Sequence, residues 1–146
     1  MLPLSPTGEI KVLKKLHVFR VKPNKELFTE INHYCKRNAL SSGIVLGIIG
    51  SLKSATISYI VELPAKYKSV EYQGPLELVC AQGTVALKDT TPLTHLHIQI
   101  SREDGCWGGH LVSATVFSTA EVVIAELDYQ LQRRFDSYTG LNELID

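Results

Sequence analysis

The sequence predicts an α+β fold: a mostly antiparallel β-sheet flanked by one main helix and short helices. Several β-branched segments lie between turn residues, one segment has apolar residues at helical spacing, and a turn at residues 102–105 separates two alternating segments. The chain has 146 residues, 45% of them hydrophobic, which is enough for one buried core without disulfides. We therefore expect a flexible lead at residues 1–10 and a single domain at residues 11–146.

The first part of the domain is expected to contain a strand and the main helix. Residues 16–21 alternate between apolar and polar side chains, which predicts a strand. From about residue 24 to residue 38, apolar residues recur on one helix face, with Pro23 and Asn24 marking its start. The residues of this face are Leu27, Ile31, Tyr34 and Cys35.

The remaining segments favour strands. Residues 44–49 and 55–61 predict two strands separated at Gly50 and Ser51, followed by a polar connection at residues 64–75 with a short strand. A long strand is expected at residues 76–87, with a bulge at Gln82 and Gly83. Further predicted elements are a turn at residues 89–92, strands at residues 94–100 and 107–117, and a polar tail from residue 130. Residues 121–127 favour a strand, although a helix is also compatible with their pattern.

Composition limits the classes of function. Fifteen Lys and Arg balance fifteen Asp and Glu, so the chain lacks the basic field that drives unspecific nucleic-acid binding. The longest apolar run, residues 44–49, is far shorter than the ~20 residues of a membrane-spanning helix. Three separated cysteines and no signal-peptide pattern favour a reducing, cytoplasmic location.

Three histidines are the strongest candidates for chemistry. His95 and His97 are two apart on a predicted strand, so both point to the same face. A two-residue type I′ turn at Asp104 and Gly105 would put His97 opposite Val112 and diagonal to His110, on that face. A His-x-His pair alone is common in strands, and the third histidine is what predicts a metal site.

Three imidazoles suit Zn²⁺, Ni²⁺, Cu²⁺ or Fe²⁺, and zinc with three protein ligands keeps a position open for water or substrate. Glu77, Glu121 and Glu126 are candidate partners of the ligands, and the sequence does not choose among them. Glu77 is our candidate general base should the site be catalytic. The isolated His17 and His33 are expected to be structural or exposed.

The ordered motifs resemble the plant-and-prokaryote-conserved (PPC) domain, from about residue 16 to residue 144. They are Gly47-Ile-Ile-Gly50-Ser51-Leu52, Gly74-Pro-Leu-Glu77-Leu-Val, Gly83, His95-Leu-His97, Gly108-Gly109-His110-Leu, Phe135-Asp136 and Thr139-Gly140-Leu141. The resemblance implies a homotrimeric α+β domain that assembles with partner proteins, and a metal at His95, His97 and His110 as in some archaeal relatives. DNA binding is implied only by analogy with plant members. This chain carries no Arg-Gly-Arg-Pro motif, and Pro75 stands where plant members place Arg.

Three functions therefore compete. The first is a trimeric metal-binding assembly module that is tied to transcription through partner proteins. Measuring its metal content and oligomeric state would test it most simply. The second is a DNA-binding protein with a basic surface built across subunits. The third is a metal-dependent enzyme that uses the open coordination position, and the sequence leans away from an enzyme because it offers no substrate-selective motif.

Overall fold

A computed structural model describes residues 13–145, and the predicted lead at residues 1–10 lies outside them. The predicted antiparallel sheet and main helix are confirmed, but α1 is the only helix within residues 13–145, so the expected short helices do not form there. No helix in this described part is long and apolar enough to cross a membrane. The elements are β1 Leu13–Val21, α1 Leu27–Arg37, β2 Gly43–Glu62, β3 Lys66–Lys88, β4 Thr91–Arg102, β5 Gly105–Leu127, β6 Gln132–Asp136 and β7 Leu141–Leu144.

The four longest strands pair in a closed circuit. β2 pairs with β3 and β5, and β4 also pairs with β3 and β5, all antiparallel. β1 extends the sheet beside β5, while β6 pairs in parallel with β3 and antiparallel with β7. Closure leaves these central strands with few unpaired edges, so the surfaces around β4 and β5 are held rigidly from both sides.

The long strands differ from the expected pattern of shorter ones. Residues 44–49 and 55–61 belong to one continuous strand, β2, so the predicted break at Gly50 and Ser51 is wrong. Gly50 has a φ of 156°, and a Cβ there would lie 2.0 Å from the Thr119 backbone oxygen of β5. The glycine therefore permits close strand contact and a local shift in register instead of a turn. In the same way, residues 107–117 and 121–127 form one strand, β5.

The predicted bulge in β3 is also displaced. Gln82 and Gly83 pair regularly with His97 and Leu96 of β4, and the irregularity lies between Leu78 and Cys80. A Cβ on Gly83 would lie 1.8 Å from the His95 backbone oxygen, so glycine is needed for contact between two strands. This regular pairing fixes the position of β4 where the histidines lie.

The helix begins at Leu27 and not near residue 24, where Pro23 and Asn24 predict its start, because Glu26 caps it. The Glu26 carboxylate accepts hydrogen bonds from the backbone of Phe28 at 3.1 Å and of Thr29 at 2.6 Å, and also from Ala114 of β5 at 3.0 Å. These bonds satisfy amide groups that a helix start leaves free and tie the helix to the sheet.

The core lies between α1 and the inner face of the strands. Alternate residues of β4 point into it, which leaves the residues between them on the outer face. The largest fully buried side chains are Leu27, Ile31, Leu40, Ile48, Leu52, Ile57, Leu76, Leu78, Leu96, Ile100, Leu111 and Ile124.

We predict that Glu26→Ala lowers the free energy of unfolding by about 2 kcal/mol, because three backbone amides lose a charged acceptor. Chemical denaturation measures this change. Glu30→Ala is the control, since it also removes a negative charge from the first turn of α1. A loss for Glu26→Ala no larger than that of the control would contradict the capping role.

Candidate metal centre

His95 and His97 project from the outer face of β4. Their neighbours Thr94, Leu96 and Ile98 are buried in the core, and the alternation of a strand turns the two histidines the other way. His110 lies on the adjacent strand β5, directly opposite His97. Two neighbouring strands therefore carry all three imidazoles to the same face.

The hairpin that brings them together has a different register from the expected one. β4 ends at Arg102 and β5 begins at Gly105, so Glu103 and Asp104 form the loop, and Asp104 and Gly105 do not. Moving a two-residue loop by one position changes each pairing by two residues and keeps every side chain on its face. The prediction of a shared face is confirmed, and His97 is opposite His110 instead of diagonal to it.

Side chains at the tip explain the register. The Arg102 guanidinium donates from Nε and Nη2 to the two carboxylate oxygens of Asp104, both at 3.0 Å, and lies 5.4 Å from the centre of the Trp107 ring. A Cβ on Gly105 would lie 2.7 Å from the same ring. No residue of this loop has a positive φ, so the turn is not type I′. Gly105 makes room for Trp107 and is not the turn glycine.

One ring nitrogen from each histidine lies within 4.8 Å of the other two. His95 Nε2 and His110 Nδ1 are 3.1 Å apart. Two nitrogens bound to one tetrahedral zinc ion at ~2.0–2.1 Å would be separated by about 3.3 Å. The three side chains therefore fit one divalent ion after small ring rotations.

The environment favours the neutral form of the His95 and His110 imidazoles. Burial, with added repulsion from His110, Arg133 and His97, lowers the pKa of His95 to about 4. Burial and then His97 lower the pKa of His110. Neutral imidazoles have a free lone pair at physiological pH, which is the state that binds metal ions.

Arg133 of β6 also lies beside the histidines, and no motif in the sequence singles it out. Its guanidinium donates to the Asn142 backbone oxygen at 2.8 Å and to Thr84 Oγ1 at 2.7 Å, and Nη2 lies 3.5 Å from His95 Nδ1. The parallel pairing of β6 with β3 puts it there, and no local pattern predicts this long-range contact.

Two cavities open beside the histidines. One, of about 260 Å³, is lined in part by His95, His110 and Arg133. The other, of about 440 Å³, is lined in part by His95, His97 and Arg133. The histidine cluster therefore adjoins two cavities.

The carboxylates expected beside the histidines lie elsewhere. Glu77 pairs with Ser101, five positions along β3 from the partner of His97, which is about 16 Å at the rise of a strand. Glu77 and Glu121 line a separate cleft. Glu126 is held by Lys14 at 2.7 Å and by His17 at 2.8 Å. None of the three lines the cavities at the histidines, whereas Glu143 of β7 lines both.

The two remaining histidines have the expected structural or surface roles. His17 is buried, with Nδ1 3.1 Å from the Tyr34 hydroxyl and Nε2 bonded to Glu126. His33 lies on α1 with 58% of its side chain exposed. His33 is therefore a suitable control for experiments on the cluster.

Comparison with known proteins finds a matching family and several solved structures that share the fold of this chain. Residues 9–128 match the Plants and Prokaryotes Conserved (PCC) domain, the family abbreviated PPC above. A metal-containing protein from Archaeoglobus fulgidus is 30% identical with a TM-score of 0.85, covering 92% of this chain and 95% of that one. A PPC protein from Pyrococcus horikoshii is 35% identical with a TM-score of 0.82, covering 92% and 94%. A candidate DNA-binding protein from Bacteroides thetaiotaomicron, 22% identical with a TM-score of 0.84 and coverage of 92% and 97%, shares the fold.

Curated relatives are much longer. The chain is 30% identical over 142 residues to the bifunctional protein GlmU of Synechococcus sp. (strain JA-3-3Ab), covering 95% of this chain. It spans 21% of that protein, about a fifth of its length. The matched region is therefore one part of a larger protein there.

We predict that acid destabilises the metal-free protein partly through His95. The folded protein holds the pKa of His95 near 4, below its ordinary 6.5, so the unfolded chain takes up the proton first as pH falls. The free energy of unfolding should therefore decrease between pH 6.5 and pH 4, and less steeply in His95→Asn. Denaturation in the presence of a chelator, with His33→Asn as control, measures this dependence. Equal slopes for His95→Asn and the wild-type protein would contradict the account.

Proposed function

The chain belongs to the Plants and Prokaryotes Conserved domain family, and we propose that it is a homotrimeric metal-binding assembly module. His95, His97 and His110 bind one divalent ion, with Zn²⁺ as our preferred candidate. The observation that carries this proposal is the set of three imidazole nitrogens within 4.8 Å of one another. The metal-containing relative from Archaeoglobus fulgidus supports it.

The histidines are suited to zinc because neutral imidazole is one of its usual ligands. A bound ion would supply a positive charge and an open coordination position at the mouth of the two cavities. Because His97 and His110 come from opposite strands, ligating both would also pin the β4–β5 hairpin in its register. The site can therefore stabilise the fold and offer a binding position.

We predict about one zinc ion per chain in untagged protein dialysed against zinc, measured by mass spectrometry for metals. His110→Ala should lower the zinc affinity at least about 100-fold, since losing a ligand costs at least as much as losing a group that orients one. His33→Ala should bind as the wild-type protein does. Full zinc content in His110→Ala would rule out the proposed ligand set.

The proposed trimer uses an exposed apolar surface of β1, β5 and β2. Leu16 and Ile44 flank Ala125 of β5 in one row of paired residues, and Val18 lies opposite Val123. Leu16 is 53% exposed, Val18 70% and Leu46 50%. Apolar side chains grouped in this way on a sheet face mark a surface for association, and a second and third copy of the same chain are our proposed occupants.

We predict a homotrimer at micromolar concentration by light scattering coupled to size-exclusion chromatography. Val18→Glu should shift the protein toward monomer, because each interface would bury an unpaired charge. Val61→Glu is the matched control, since Val61 is 63% exposed at the far end of β2. A wild-type monomer would refute the trimer, and an unchanged trimer in Val18→Glu would refute this surface.

The wider role we propose is assembly with partner proteins, including partners tied to transcription. The match to one fifth of the GlmU chain supports a module that joins larger proteins. Direct binding to duplex DNA has less support, because the net charge is zero.

An enzyme is the second candidate, and the cavities beside the histidines favour it. A zinc ion with an open position can activate water, and a nearby carboxylate would have to move the proton. Glu143 is better placed for this task than Glu77, since it lines both cavities.

A further inference from the structure

The cavity of about 260 Å³ is lined by one cation, Arg133, by one carboxylate, Glu143, and by several apolar side chains. His95 and His110 also line it. The cavity is small, so it suits a ligand of few atoms. Its apolar lining comes from Phe28, Tyr67, Leu93 and Leu141.

The Arg133 guanidinium forms no ion pair in the described part of the chain. Burial lowers the pKa of Arg133, although the charge of Glu143 is near enough to act against that lowering. No carboxylate of residues 13–145 forms an ion pair with it, and its two close hydrogen bonds go to neutral oxygens. Its Nε is buried with no acceptor, and Asn142 Oδ1 is likewise buried with no donor. A partly buried guanidinium that forms no ion pair and leaves its Nε without an acceptor is costly, so this arrangement favours an anionic ligand.

The contact between Arg133 and His95 points to where the anion would lie. In the observed arrangement Arg133 Nη2 faces His95 Nδ1 at 3.5 Å, which suits Nδ1 as an acceptor. When His95 uses Nε2 to ligate an ion, its proton has to be on Nδ1, and two donors then face each other. Metal-ligating histidines usually donate that proton to a carboxylate, carbonyl or water. A ligand carboxylate here would accept from both His95 and Arg133.

We propose that this cavity binds a small organic carboxylate, with its carboxylate held by Arg133 and His95 Nδ1 and its apolar part against Leu93 and Leu141. The contact with Arg133 stands without a metal ion. The contribution of His95 Nδ1–H rests on the proposed metal function and makes carboxylate and zinc strengthen each other's binding, because such coupling is reciprocal.

Glu143 is the protein group that could take the place of the ligand. It lines the same cavity and its charge acts on Arg133, but it makes no hydrogen bond to His95 or Arg133 among the described contacts. Were Glu143 the natural partner of Arg133, Glu143→Gln would strengthen binding of an added carboxylate more than tenfold. We expect a change of less than tenfold, because Glu143 acts on Arg133 through its charge and not through an ion pair.

The test is an NMR titration of the isotope-labelled full chain, metal-free and zinc-loaded, with 4-methylpentanoate and its neutral amide as probes. We expect the carboxylate to shift resonances of cavity residues and to bind at least tenfold more tightly than the amide when zinc is present. Its affinity should be lower without zinc, with the same preference. Adding the carboxylate should raise the zinc affinity, measured separately against a chelator. The factor should equal the factor by which zinc raises the carboxylate affinity.

Arg133→Gln should weaken carboxylate binding at least tenfold, and Arg133→Lys, which keeps the charge without the fork of donors, should weaken it less. Arg134→Gln is the matched control, since Arg134 is next to Arg133 in the sequence but its side chain is exposed and lines neither cavity. Equal binding of acid and amide, or no effect of either Arg133 variant, overturns the inference. Zinc binding without carboxylate preference refutes this cavity alone, whereas carboxylate preference without zinc binding refutes the metal function alone.

Discussion

The register of the β4–β5 hairpin is the constraint on which the site depends. With His97 opposite His110, and His95 one step along the same face, three imidazoles come within reach of one ion. The register is held at the tip, where Arg102 donates hydrogen bonds to Asp104 and lies over the Trp107 ring. It is also held along both edges, because β3 and β2 pair with the outer sides of the hairpin strands. A slip by one residue would send the histidines of one strand to the core.

The same closed pairing gives the site its electrostatic character. Because the strands around it are fixed, His95 is partly buried beside Arg133 and remains neutral to low pH. Burial disfavours protonation of His95 and His110, and the neighbouring Arg133 forms no ion pair in the described part of the chain. This arrangement suits a metal cation together with an anion. The metal and carboxylate proposals are therefore two consequences of one arrangement of charges.

Much of the fold and part of the site follow from local sequence pattern. Alternation in β4 predicted the shared face of His95 and His97. The error in the hairpin loop did not affect the prediction that His110 shares this face, because it changed each pairing by two residues and so kept every side chain on its face. The long strands were predicted as shorter fragments. A glycine such as Gly50 is compatible either with a turn or with close contact between strands, and the structure has the close contact with β5. Arg133 and Glu143 could not be predicted, because the last two strands reach the histidines only through pairing distant in sequence.

Anomalous diffraction at the zinc edge from crystals of zinc-loaded, untagged protein tests the central claim most directly. The account predicts one strong peak per chain, bonded to a ring nitrogen of each of His95, His97 and His110 at ~2.0–2.1 Å. A peak bound elsewhere, or a histidine of the cluster turned to the other side of the sheet with no ion between the remaining two, would contradict it.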